Sequence, residues 1–172
     1  GLSDIPFILT SKGIEQETGK LLVEVAEEIF GETNHLGVMS GPTLANEVML
    51  KHPTSAVGAS MDPEITDLIK SLFGSPYFHV YTSSDIRGVA LGGAIKNVIA
   101  IASGMADGLG YGHNTKALLI TRGLVEMKRI AKVKKADEET CNGLSGIGDL
   151  LVTGMSNLSR NFSFGHMLGQ GF

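Results

Sequence analysis

Short apolar runs alternate with amphipathic stretches through the first half of the chain. The apolar runs predict strands at residues 7–10, 35–40, 54–60 and 77–82. The stretches between them carry apolar residues at helical spacing and predict helices at residues 18–30, 42–49 and 64–73. This alternation is typical of an α/β layer with at least some parallel strand pairs. The last strand alternates weakly between apolar and polar residues, so we expect it to be buried on both faces.

The pattern changes near Ser84. Beyond that point the apolar positions predict only helices, at residues 86–109, 115–133, 138 to about 155, and from about 161 onward. We therefore predict two domains, an α/β domain over residues 1–84 and an all-α domain over residues 85–172. The first long helix is apolar enough to resemble a membrane span, but a lysine at its centre and several small residues favour a buried core helix.

That lysine, Lys96, is the most informative residue of the first long helix. Four small residues share its face at steps of four, namely Gly88, Gly92, Ala100 and Gly104. A ligand or another backbone can therefore lie close to the helix beside the ammonium group. Burial lowers the pKa of an ammonium and makes a lysine an acid–base group near neutral pH. The alternative is an ammonium that reaches the surface or pairs with a buried carboxylate.

A polar helix face is predicted further along the chain. Ser145, Asp149 and Thr153 lie four residues apart, so they share one side of the helix. Asp149 is the natural partner for Lys96 on this face.

A compact set of donors follows that face. Ser159, Arg160 and Asn161 are consecutive, and their side chains suit a phosphate or a carboxylate. An exposed helix start with Ser159 as the cap explains the same three residues.

Weaker signals follow the first two predicted strands. Ligands in open α/β sheets bind beyond the carboxyl ends of strands, so Lys12 is placed to meet an anion. The turn Gly41-Pro42-Thr43 holds the equivalent position after the second strand. A surface lysine and an ordinary turn explain these residues equally well.

Composition narrows the classes of function. A net charge of −4 and a pI near 5.7 argue against nucleic acid or an anionic membrane as the main partner. The single cysteine, Cys141, excludes an internal disulfide and a cysteine-rich zinc site and favours a reducing, cytoplasmic setting. The five histidines lack ligand spacing, so no metal site is expected. Because the chain begins without methionine and stops after an apparent helix, we expect an internal piece of a longer protein.

Six motifs, in this order and spacing, resemble the NAD(P)-dependent glycerol-3-phosphate dehydrogenase family. They are KG at 12–13, GPTLANEV at 41–48, AIKN at 94–97, DGLGYGHNTK at 107–116, GLSGIGD at 143–149 and SRN at 159–161. The resemblance covers essentially the whole chain, and residues 121–124 are closer to bacterial members. It implies part of a Rossmann-like α/β domain, whose glycine fingerprint would precede residue 1, followed by a helical substrate-binding domain.

The resemblance implies reversible hydride transfer between NADH or NADPH and dihydroxyacetone phosphate, giving sn-glycerol 3-phosphate for glycerophospholipid synthesis. It makes Lys96 the general acid/base at the C2 oxygen, supported by Asp149. It assigns the substrate to Lys12, Gly41, Thr43, Asn97, Thr153, Ser159, Arg160 and Asn161. It assigns the cofactor, NAD or NADP, to Lys12, Ala45 and Arg160. It further implies a cytoplasmic homodimer without stable membrane insertion or a nucleic-acid partner.

Two other functions fit parts of the sequence. Another β-hydroxyacid-type dehydrogenase, such as a phosphogluconate or hydroxyisobutyrate enzyme, shares the architecture and the catalytic lysine. We do not expect it to carry Asp149 and the Ser159–Asn161 set at this spacing. A non-catalytic helical oligomerisation piece would use the small-residue face around Lys96 as a packing seam.

Overall fold

The structure, a computed structural model, describes residues 5–31 and 35–172. Within this part of the chain a mixed sheet is followed by a helical region, as predicted. The strands are β1 Phe7–Leu9, β2 Leu36–Ser40, β3 Thr54–Ser60 and β4 Phe78–Ser83. The helices are α1 Leu22–Phe30, α2 Ala45–Met49, α3 Pro63–Phe73, α4 Ile86–Gly108, α5 His113–Val133, α6 Asp149–Gly154 and α7 Arg160–Gly169.

The described strands lie in the order β1-β2-β3-β4. β1 pairs with β2 in parallel, and β3 pairs with β4 in parallel, which confirms the predicted partial parallel pairing. β2 and β3 are antiparallel, with Val38 opposite Ala59. Because β1 and β2 are parallel, the turns that follow them, at Lys12 and Gly41, lie at the same edge of the sheet.

The prediction that the fourth strand is buried on both faces is wrong. β4 is an edge strand of the described sheet, in which Val80 is buried while His79 and Tyr81 are exposed. The alternation looked weak because the exposed positions carry large rings, which stack edge to face with centroids 4.5 Å apart. Ring size rather than burial explains the sequence pattern.

Helices cover both faces of the sheet. On one face α3 packs Ile65 and Ile69 against Val80. Gly37 permits this close approach, since a Cβ there would lie 2.9 Å from side-chain atoms of both isoleucines. On the other face α1 and α4 pack against Val38 and its neighbours to form the larger hydrophobic core.

Helix α4 is the central helix of the protein. It packs against β2 and β3 on one side and against α5, α6 and α7 on the other. Asp85 caps its start by accepting a hydrogen bond from the Gly88 amide at 2.9 Å. By length and composition α4 could cross a membrane, but more than half of its most apolar window is buried within the protein. The predicted buried core helix is therefore confirmed.

The predicted helix over residues 138–155 is broken into three pieces. A 3₁₀ turn at Glu138–Asn142 and a π turn at Leu144–Gly148 precede α6. Glycines at 143, 146 and 148 weaken a continuous α-helix in this segment. At Gly146 a side chain would overlap the Cys141 backbone, so only glycine permits this path.

Four other helix starts differ from the prediction, that of α3 by a single residue, since it begins at Pro63. α1 begins at Leu22 rather than residue 18, because Thr18 belongs to a turn in which its amide binds the Glu15 carboxylate. α2 begins at Ala45 rather than at Pro42, and the Gly41 carbonyl before it binds Lys12. α5 begins two residues early, at His113.

Candidate active site

A cleft of about 690 Å³ opens where the turns after β1 and β2 face α4, α6 and α7. Its volume lies within the range of small-molecule and cofactor sites. Nine of the eleven predicted site residues line the cleft, namely Lys12, Thr43, Ala45, Lys96, Asn97, Thr153, Ser159, Arg160 and Asn161.

Asp149 lies between two ammonium groups behind the residues that line the cleft. Its Oδ1 is 2.5 Å from Lys96 Nζ, and its Oδ2 is 2.5 Å from Lys12 Nζ. Both the Asp149 and Lys96 side chains are nearly inaccessible, at 2% and 10% exposure. The predicted pairing of Lys96 with Asp149 is confirmed. Lys96 also lines the cleft, which a purely structural ion pair does not require.

Thr153 completes the environment of Lys96. Its hydroxyl accepts a hydrogen bond from Lys96 Nζ at 2.8 Å and lies 3.3 Å from Asp149 Oδ1. The two residues of α6 are four apart and so face the same side, as the sequence spacing predicts. The π turn before α6 sets the direction from which this face meets α4.

The electrostatics of this cluster change the acidity of Lys96. Burial lowers the pKa of the Lys96 ammonium, the Asp149 carboxylate raises it, and the neighbouring Lys12 ammonium lowers it. The net effect is a pKa below the ordinary value for lysine. A lysine in this state gives up its proton more readily near neutral pH, as a general acid requires.

The start of helix α7 also lines the cleft. Ser159 is buried and caps the helix by accepting a hydrogen bond from the Phe162 amide at 3.2 Å, so the cap interpretation is confirmed for this residue. Asn161 Nδ2 donates to Asn97 Oδ1 at 2.8 Å and joins α7 to α4. Arg160 is exposed at the cleft and adds a third cation to Lys12 and Lys96.

Two predicted residues lie behind the cleft. Asp149 is covered by the two lysines, and Gly41 contributes its carbonyl oxygen, which accepts from Lys12 Nζ at 3.1 Å. The sequence analysis missed Leu44, Asn46 and Leu158, which also line the cleft. Leu44 and Leu158 carry no chemical group that sequence reasoning selects, and Asn46 lies within the motif at 41–48 without an assigned role.

Cys141 takes no part in the site. It is fully buried, and burial raises its pKa to about 11. Such a thiol is unreactive at neutral pH. Across residues 5–31 and 35–172, His, Cys, Asp and Glu form no group of three that could hold a metal ion.

Comparisons with known proteins identify two halves of one family. The model described as NAD-dependent glycerol-3-phosphate dehydrogenase N-terminus matches residues 3–66, and the model of the C-terminus matches residues 85–172. The chain is 52% identical over 169 residues to the glycerol-3-phosphate dehydrogenase [NAD(P)+] of Chlamydia pneumoniae, and 48% identical over 170 residues to that of Chlamydia caviae. These alignments cover 97% and 98% of the chain. The chain spans about half of each relative, 51% in both cases.

Solved structures give the same result. The crystal structure of glycerol-3-phosphate dehydrogenase from Coxiella burnetii superposes with a TM-score of 0.91 at 41% identity, over 96% of this chain and 50% of that one. The yeast glycerol-3-phosphate dehydrogenase superposes with a TM-score of 0.84 at 30% identity, over 98% of this chain and 50% of that one. Since models of both family halves match in order and relatives match nearly the whole chain, the chain belongs to the NAD-dependent glycerol-3-phosphate dehydrogenase family.

Proposed function

We propose that this chain is part of an NAD(P)-dependent sn-glycerol-3-phosphate dehydrogenase, which reduces dihydroxyacetone phosphate reversibly. The observation that carries the proposal is the buried Lys96 ammonium, which is held by Asp149 and Thr153 and faces a cationic cleft. The names of the family and of the relatives from Chlamydia support the same reaction. In a cell this reaction supplies glycerol 3-phosphate for glycerophospholipid synthesis.

Lys96 acts as the general acid during ketone reduction. When bound, the nicotinamide supplies the hydride that C2 of the substrate receives. Negative charge then develops on the C2 oxygen, and Lys96 Nζ transfers a proton to it, which completes the alcohol and leaves the amine neutral. Asp149 and Thr153 fix the ammonium through bonds of 2.5 and 2.8 Å, and the neutral amine regains a proton through the open cleft.

The cleft is suited to a phosphate ester. Lys12 and Arg160 both line the cleft and supply cations, and Thr43, Asn97 and Asn161 add neutral hydrogen-bonding groups. Binding of the phosphate, which does not react, positions the carbonyl near Lys96. The same cations and the small side chain of Ala45 fit the phosphate-bearing cofactor, so we assign Lys12, Ala45 and Arg160 to NAD or NADP.

We extend the proposal to the organisation of the whole protein. Residues 1–84 form the later part of the nucleotide-binding domain, and residues 85–172 form part of the helical substrate domain. The protein works in the cytoplasm as a homodimer, without stable membrane insertion and without a nucleic-acid partner. The acidic net charge and the burial of α4 support this location.

The test uses the full-length protein and compares substrates. We expect oxidation of NADH or NADPH with dihydroxyacetone phosphate, and product analysis should give sn-glycerol 3-phosphate alone. Unphosphorylated dihydroxyacetone should react far more slowly, because it lacks the group that Lys12 and Arg160 bind. Faster turnover of 6-phosphogluconate or 3-hydroxyisobutyrate with NAD or NADP would replace this proposal with a β-hydroxyacid dehydrogenase.

A further inference from the structure

The Lys12 side chain reaches Asp149 through a narrow passage between the sheet and α4. Lys12 follows β1, whereas Asp149 begins α6, so the side chain must cross α4 to make its ion pair. It crosses at Gly93. A Cβ on Gly93 would lie 3.1 Å from both Cγ and Cδ of Lys12. A methyl group at residue 93 would therefore press on the methylene groups of Lys12.

Ser40 closes the passage from the sheet side. It is the last residue of β2 and is 4% exposed, and its Oγ would lie 2.6 Å from a Cβ on Gly93. Its hydroxyl has no hydrogen-bond partner among the described residues. Size is the property that Ser40 contributes here.

Small residues at both positions fix where the Lys12 ammonium lies. The next residue, Gly41, accepts a hydrogen bond from Lys12 Nζ at 3.1 Å, so the backbone beside Ser40 holds the end of the same side chain. Helix α4 carries Gly93 and, about one turn later, Lys96, the second lysine on Asp149. A shift of α4 or of Lys12 at this passage therefore changes the separation of both ammonium groups from one carboxylate.

We propose that Gly93 and Ser40 are positioning residues that set the Lys12–Asp149 contact through the space they leave for the Lys12 side chain. This inference rests on the proposed dehydrogenase function for its kinetic consequences. The ionisation of Lys96 gives a second consequence that does not need turnover. Lys12 lowers the pKa of Lys96, so moving Lys12 away raises that pKa.

The central variant is Gly93→Ala in the full-length protein. Alanine is a better helix former than glycine, so helix propensity alone predicts a neutral or stabilising change. The passage predicts instead a fall in kcat/KM for dihydroxyacetone phosphate of about tenfold to a hundredfold, because Lys12 is displaced. It also predicts that the high-pH limb of the kcat/KM profile moves to higher pH. Gly112→Ala is the matched control, since no described atom lies within 4 Å of a Cβ there.

Ser40→Ala separates size from hydrogen bonding. Combined with Gly93→Ala it removes the 2.6 Å overlap but leaves the alanine methyl group 3.1 Å from Cγ and Cδ of Lys12, so the double variant should keep a kcat/KM below that of Ser40→Ala alone. Ser40→Thr, which adds a methyl group from the sheet side, should lower kcat/KM and raise the pKa of Lys96 even if Gly93→Ala does not fold. Thermal unfolding of each variant establishes whether it is folded.

These experiments distinguish failure of this inference from failure of the proposed function. Wild-type activity with normal kinetics in Gly93→Ala, or a double variant that fully matches Ser40→Ala, would overturn this inference alone. Loss of activity in Ser40→Ala by itself would also overturn it, because the hydroxyl would then act through a hydrogen bond. If the wild type does not reduce dihydroxyacetone phosphate, the proposed function fails. The pKa of Lys96, followed by NMR of ¹³Cε-labelled lysine, still decides this inference, since an unchanged pKa in folded Gly93→Ala contradicts it.

Discussion

At the scale of single residues, the site depends on one carboxylate shared by two lysines. Asp149 contacts Lys12 and Lys96 through different oxygens, each at 2.5 Å, and is itself buried. Two ammonium groups this close repel each other, and the carboxylate between them offsets that repulsion. The charge of Asp149 therefore raises the proton affinity of Lys96, against the larger effect of burial.

The first prediction concerns that charge. Asp149→Asn keeps the size of the side chain but removes the interaction that raises the pKa of Lys96, so this pKa falls further. Ketone reduction needs the protonated amine, and the high-pH limb of the kcat/KM profile should therefore move to lower pH. We also expect kcat/KM at neutral pH to fall by about a hundredfold. The pH dependence of kcat/KM in the full-length enzyme measures both effects.

Asp67→Asn is the control for this experiment. Asp67 is an exposed aspartate of α3, remote from the cleft residues, and its variant should match the wild-type profile. A high-pH limb that stays in place or moves upward in Asp149→Asn would contradict the role given to the carboxylate.

At the scale of secondary-structure elements, α7 connects the fold to the chemistry. Its first turn carries Arg160 and Asn161 in the cleft, and its glycines face the backbone of α4. The helix is held at one end by the Ser159 cap and near the other by His166, whose Nδ1 lies 2.9 Å from the Asp107 carboxylate. The contacts at the two ends of α7 lead to two separate predictions.

Ser159 should affect both the stability of the protein and the binding of substrate. Two substitutions separate these effects. Ser159→Ala removes the acceptor for the Phe162 amide and should lower the free energy of unfolding by about 1 kcal/mol. Ser159→Asp keeps an acceptor, so it should retain most of that stability. Its carboxylate, however, lies beside Arg160 and opposes an anionic substrate, so KM for dihydroxyacetone phosphate should rise at least about tenfold. An unchanged KM in Ser159→Asp would contradict a phosphate site at this end of α7.

Asp107 links three helices and should make stability depend on pH. Its carboxylate accepts from Lys116 Nζ at 2.6 Å and contacts His166, and these bonds hold its pKa below the ordinary value of 3.8. A lowered pKa means stability that is present above pH 3.8 and is lost as the pH falls through the lower, folded-state pKa. We therefore expect Asp107→Asn to lower the free energy of unfolding by about 1 kcal/mol at pH 7, and by progressively less below about pH 4.

Chemical denaturation across this pH range measures the difference. Glu126→Gln provides a control, because Glu126 makes an exposed pair with Arg129 on one face of α5 at 3.7 Å. Such a pair contributes about 0–1 kcal/mol, so the control should change little at any pH. A deficit in Asp107→Asn that persists undiminished at low pH would contradict the ionic origin of the contact.

The sequence predicted the positions of helices and strands better than it predicted where a helix is broken. Residues 54–60 were predicted as a strand at their observed position, because an apolar run is a local signal. The breaks in residues 138–154 were not predicted, since they depend on Gly146 meeting the Cys141 backbone. Side-chain periodicity records which face is buried, and it does not record where two backbones touch.

At the scale of the whole molecule, the site is assembled from both halves of the chain. Lys12 and Thr43 come from the sheet edge, whereas Lys96 and Arg160 come from the helical region. The sequence singled out Lys96 and Asp149 by their unusual surroundings and paired them correctly. It could not distinguish Lys12 from a surface lysine, because the Lys12–Asp149 contact spans 137 residues. The resemblance to a family, rather than local pattern, raised Lys12 and Thr43 above that ambiguity.

The close approach of Gly93 and Ser40 to the Lys12 side chain could not be predicted from the sequence either. Glycine makes up 23 of 172 residues, and Gly93 is not among the small residues that share the face of Lys96. Ser40 lies next to the predicted turn at residues 41–43, and an ordinary turn explains that segment without a functional role. Only the packed structure brings these two residues against the side chain of Lys12.

The central claim is that Lys96 delivers the proton during reduction of dihydroxyacetone phosphate. The most direct measurement is the rate of NADH and NADPH oxidation by the full-length protein, as wild type and as Lys96→Met. We predict that Lys96→Met lowers kcat by about 10²- to 10⁴-fold with an unchanged fold, whereas the exposed Lys132→Met leaves it unaltered. Substrate-dependent oxidation that persists at the wild-type rate in a folded Lys96→Met enzyme would contradict the account.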